Sequence, residues 1–81
     1  MTQFVALLRG INLGKRRIKM ADLRKDFESW GFKDVQTILA SGNVIFESQL
    51  KDPDEVRAAI EQGFADNYGW EVPTCVRRAE D

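Results

Sequence analysis

At 81 residues, 43% apolar and 31% charged, the chain is long enough for one domain and too apolar for disorder. One cysteine, Cys75, excludes an internal disulfide and suits a reducing compartment; with no histidine, no zinc ligand set or imidazole base is available. The net charge of −1 hides a polarised distribution, because seven basic residues from Arg9 to Lys25 stand against Asp22 alone in an otherwise acidic chain.

In chain order, residues 3–8 form an apolar, strand-forming run closed by Gly10. That run is far short of the roughly 20 residues of a membrane helix. Met1-Thr2-Gln3 is no basic leader, so the chain reads as soluble, unprocessed and cytoplasmic. Residues 10–17, with Gly10 and Gly14 and no period, read as a loop. Met20, Leu23, Phe27 and Trp30 then recur at helical spacing, and Gly31 suits the left-handed position that ends a helix.

A second strand is expected over residues 35–40 and a third from Val44 to Phe46. Gly42-Asn43 between them suits a two-residue turn, with Gly42 at positive φ. This register sets Leu39 opposite Phe46 and Ser41 opposite Val44, with Val35, Thr37, Leu39, Val44 and Phe46 on one face. A three-residue loop would shift the pairing. Asp52-Pro53-Asp54-Glu55 is a helix start, with Asp52 as cap, Pro53 at N1 and Glu55 at N3. Val56, Ile60 and Phe64 follow four apart, beside the small Ala59 and Gly63, and Gly69 ends the helix. Residues 71–77 read as a last strand, which Pro73 confines to a sheet edge.

The order is βαββαβ. It predicts a ferredoxin-like α+β domain over residues 1–81, with an antiparallel sheet of order 4-1-3-2 and both helices on one face.

Three blocks carry a resemblance: Val5-Ala6-Leu7-Leu8-Arg9-Gly10-Ile11-Asn12-Leu13-Gly14, Met20-Ala21-Asp22-Leu23-Arg24 and Ser41-Gly42-Asn43-Val44-Ile45-Phe46. Together they resemble the domain-of-unknown-function family 1697 over nearly the whole chain. The resemblance implies a bacterial, cytosolic protein of a family without an established activity, and the N-terminal ferredoxin-like half of members that continue into a second half. It implies no activity, cofactor or catalytic residue.

Gly10-x-x-x-Gly14-Lys15 is not a nucleotide-binding phosphate loop. It is one residue short between the glycines, and Arg16 replaces the hydroxyl that would hold magnesium. Two readings of the segment stand. Arg9, Gly10, Asn12, Gly14, Lys15, Arg16, Arg17 and Lys19 can present cations and amides to a small anion, or they form a solvated basic loop. Ser41 and Asn43 join the first reading, since the loops after strands one and two are expected at one end of the sheet; the alternative is that they hold tight turns. Nucleic acid is disfavoured as a partner, because only Phe46 stands where RNA-binding sheets of this order carry several aromatics, and the chain is acidic overall. Tyr68 and Trp70 are candidates for contact with a neighbour, and Cys75 is expected to pack.

No catalytic, cofactor or metal-binding residue is assigned, and an autonomous enzyme is disfavoured. Strand one points instead to association. Phe4, Ala6 and Leu8 fall on one face, Val5 and Leu7 on the other, and helices cover only one face of such a sheet. Ile38, Ala40 and Ile45 extend the second apolar face, so self-association or packing against a second half is expected.

Overall fold

The computed structural model describes residues 1–9, 18–38 and 43–79. The elements are β1 (Thr2–Leu8), α1 (Met20–Ser29), β2 (Lys33–Ile38), β3 (Asn43–Ser48), α2 (Pro53–Tyr68) and β4 (Thr74–Arg78). The strands form one antiparallel sheet in the order β2-β3-β1-β4, the expected topology, with β4 at an edge. Among the described residues, no helix is long and apolar enough to cross a membrane.

The helix signals hold at atomic level. Asp52 Oδ1 accepts from the Asp54 amide at 2.9 Å with Pro53 in the first turn, and Gly69 ends α2 at φ 71°. Gly31 follows α1 at φ 95°. Each lets the chain reverse where an L side chain would be strained.

Phe4, Ala6, Leu8, Val44 and Phe46 are buried beneath the helices, with Leu23 and Phe27 of α1 and Val56, Ile60 and Phe64 of α2. Phe27 is the hub, with ring centroids 5.2 Å from Trp30, 5.7 Å from Phe32, 5.3 Å from Phe46 and 6.5 Å from Phe64. Trp30, expected in the core, is half-buried at its rim, its ring 5.1 Å from Phe64.

The β2–β3 register differs from expectation. Thr37 pairs with Val44 and Ile38 with Asn43, so Asn43 belongs to β3 rather than to a two-residue turn. The pairing is displaced by four residues from the predicted one. An even displacement preserves side-chain direction, so Val35, Val44 and Phe46 still share the buried face. Leu39, Ala40, Ser41 and Gly42, and with them the predicted φ of Gly42, lie outside the described residues.

β2 also begins two residues early, through an irregularity between Lys33 and Gln36 where Asp34 takes φ 49°. The cause is packing. Phe32 and Val35 are both buried, yet three positions apart they would face opposite ways in a regular strand. One extra residue restores both to the core, and aspartate tolerates the left-handed backbone better than most. β4 starts at Thr74, not at residue 71, and Pro73 lies just before it, its carbonyl accepting from the Arg9 amide at 3.0 Å.

Tyr68 and Trp70, candidates for outside contact, stack on each other at 4.9 Å and pack against the core edge. The Tyr68 hydroxyl donates to Asp26 Oδ2, tying the end of α2 to α1. Burial pushes the phenol up to about 12 from its ordinary 10, and the Asp26 hydrogen bond and charge add to the effect.

Two predictions follow from this packing. A Cβ at Gly63 would overlap the Trp30 ring at Cε2, so Gly63→Ala should lower stability by about 1–3 kcal/mol in urea unfolding. In a Trp30→Leu background the same change should stabilise, since alanine is the better helix former by about 1 kcal/mol. Tyr68 is the sole tyrosine, so its ultraviolet titration should show a midpoint near 12. A raised folded pKa means its stabilisation is complete below pH 10 and lost as pH rises towards 12. Tyr68→Phe should remove that alkaline loss.

Candidate functional site: the open sheet face and its loop end

Alternation along β1 sends Phe4, Ala6 and Leu8 under the helices and leaves Val5 and Leu7 on the opposite face. Two cross-strand rows build that face. Gln36, Ile45, Val5 and Arg77 form one, and Ile38, Asn43, Leu7 and Cys75 occupy the register positions of the other. Val5, Leu7 and Ile45 are half-buried although both helices lie on the other side. A trough of about 410 Å³ runs between β1 and β4, lined by Val5, Leu7, Asn43, Cys75, Val76 and Arg77.

Cys75, expected to pack, is exposed here. With β4 starting at Thr74, alternation buries Thr74 and turns Cys75 to the uncovered face. Among the described residues no aromatic ring lies on this face: Phe4 and Phe46, stacked 5.9 Å apart, both point to the core. The surface can bury apolar groups but offers no platform for stacking bases.

At one border of the face, Glu47 of β3 neighbours Asp34 across the β2 irregularity. Hydrogen bonding to that carboxyl, desolvation and its charge hold the Glu47 carboxyl above its ordinary range. On the helix side of β4, Glu61 Oε2 accepts from the Thr74 amide at 3.2 Å. Beside that bond lies a groove of about 320 Å³, lined by Glu61, Ala65, Trp70, Glu71, Val72 and Pro73. Neither the Asp34–Glu47 pair nor the Glu61 contact has a local sequence signature, since each joins elements brought together only by the fold.

Of the sequence-predicted ligand residues, three are described. Arg9 is exposed just after β1, Lys19 is exposed at the N-cap of α1, and Asn43 is half-buried at the start of β3. Asn43 pairs with both Leu7 and Ile38, so the loops that follow β1 and β2 leave from the same end of the sheet, as expected. Gly10, Asn12, Gly14, Lys15, Arg16, Arg17 and Ser41 lie outside the described residues.

A family model described as "Protein of unknown function (DUF1697)" matches residues 1–81. The fold is similar to that of the conserved bacterial protein SP0830 from Streptococcus pneumoniae, with 32% identity and a TM-score of 0.85. The likeness covers 100% of this chain and 44% of that one, so this chain spans less than half the pneumococcal protein's length. No curated protein matches.

Proposed function

The chain belongs to the DUF1697 family, of unknown function, and we propose that it acts as a non-catalytic packing domain whose open sheet face is covered by a companion domain. The observation that carries this reading is the apolar set Val5, Leu7 and Ile45 on the face opposite both helices. Continuous apolar surface of that kind marks an interface. SP0830 supports a companion from the same polypeptide, because more than half of that chain lies beyond the likeness. The single, exposed thiol suits the reducing conditions of a cytoplasm.

Cys75 borders the trough and is the sole cysteine, so its reactivity reports cover on this face. In dilute solution the 81-residue chain should show the thiol reactivity of an exposed cysteine. Leu7→Glu should abolish binding of an apolar dye while leaving the far-ultraviolet spectrum unchanged. Dye binding to the unaltered chain that falls as its concentration rises would make the cover a second copy instead. Dye binding that ignores Leu7→Glu would overturn the reading.

A second reading, small-anion or nucleotide-phosphate binding through the basic loop, is favoured by the shared end from which the loops after β1 and β2 depart. Arg9, Lys15, Arg16, Arg17 and Lys19 would supply the charge, and the glycines and Asn12, Ser41 and Asn43 the directed hydrogen bonds. Phosphate should shift the amides of residues 10–19, and the effect should fade with salt, since exposed charges are screened over about 10 Å at 0.1 M. Replacing Lys15 and Arg16 with alanine should remove most of the response, whereas replacing Lys51 and Arg77 should not. Equal effects from the two pairs would return the loop to a solvated basic face.

A further inference from the structure

β4 is bonded to β1 along one side. The Arg9 amide donates to Pro73 O and the Ala79 amide to Gln3 O, both at 3.0 Å, so odd-numbered residues of this segment turn their backbone groups to β1. Thr74, Val76 and Arg78 therefore turn theirs outward. The Thr74 amide is satisfied by Glu61, and Val76 and Arg78 present a regular row along the edge. The opposite edge is unlike it, because β2 carries the irregularity at Asp34. Such a break hinders strand addition, whereas a regular edge invites it.

We propose that β4 pairs antiparallel with β4 of a second copy of this chain, joining the two sheets edge to edge. The outward residues are all even-numbered. A pairing that leaves the Thr74 amide on Glu61 and uses the Thr74 carbonyl, both Val76 groups and the Arg78 amide of each strand centres Val76 on its counterpart and sets Arg78 of one copy opposite Thr74 of the other. Arg77 then faces Cys75, so no arginine stands opposite another, an arrangement that would be unfavourable.

Charge complementarity selects a second copy as the occupant. Residues 74–78 carry Arg77 and Arg78 and no acid. Thr74, which the incoming Arg78 meets, adjoins the groove containing Glu61, Trp70 and Glu71. Thr74, Val76 and Arg78 share the helix side of the sheet, so the arriving guanidinium lies beside Glu61 and the indole, a carboxylate and a π-face that suit it. In its own copy Arg78 donates to the Lys51 carbonyl at 3.1 Å in an exposed setting, from which it can be released. Two-fold symmetry forms the Arg78–Glu61 contact twice.

The pairing is independent of the open-face reading, and sedimentation equilibrium of the 81-residue chain and its variants separates the two. The chain should dimerise as concentration rises. Glu61→Arg and Arg78→Glu should each weaken the dimer by about tenfold or more, and the combined swap should restore it to within about threefold. Glu61→Gln, which keeps an acceptor for the Thr74 amide, should weaken it in the same direction but less. Leu7→Glu should leave it intact. Amide exchange at Val76 and Arg78 should slow with concentration. A chain that stays monomeric at millimolar concentration would overturn the proposal, as would a dimer insensitive to both charge reversals or one lost with Leu7→Glu.

Discussion

The ring of Phe27 is where the two layers of this domain meet. It touches Trp30 of its own helical segment, Phe32 at the entry to β2, Phe46 at the centre of the sheet and Phe64 of the second helix. Edge-to-face and tilted ring pairs each contribute about 0.5–1.5 kcal/mol beyond simple burial. Losing a buried phenylalanine ring costs about 3–5 kcal/mol, a large share of the roughly 4–12 kcal/mol expected for a domain of this length. Helix placement, and through it the covered face of the sheet, depends on this cluster.

The same cluster shapes the edges. Phe32 must reach Phe27 and Phe46, and Val35 must also be buried, so β2 takes an extra residue and Asp34 a left-handed backbone. That edge is irregular as a result. β4 faces no such demand. It begins after Pro73 and runs regularly from Thr74 to Arg78, with its first outward amide held by Glu61. A packing requirement in the core thus makes the two edges chemically unequal.

Coverage is unequal as well. Two helices cover one face, leaving Val5, Leu7 and Ile45 only half-buried on the other. That apolar surplus was legible from the alternation of β1, because both sets of its side chains are aliphatic or aromatic. The residues proposed for the anion site were legible only as a cluster in sequence. The fold brings the exits of their two loops to one end, which follows from strands one and two running parallel within the order 4-1-3-2.

The sequence by itself determined the order of elements, the topology and the ends of the helices. These rest on signals read within a turn or two of the chain: Asp52-Pro53, Gly31, Gly69 and the alternation of β1. Its Arg-Gly-Ile-Asn and Ser-Gly-Asn blocks also carried the family. Only the tertiary structure decided the β2–β3 register, the extra residue at Asp34, the start of β4 and the Tyr68–Asp26, Gly63–Trp30 and Glu61–Thr74 contacts. The reason is physical. Gly42-Asn43 is compatible with more than one pairing of even offset, each keeping the same residues in the core. The choice among them falls to rings supplied by α1 and α2, groups far away in sequence whose positions no local pattern encodes.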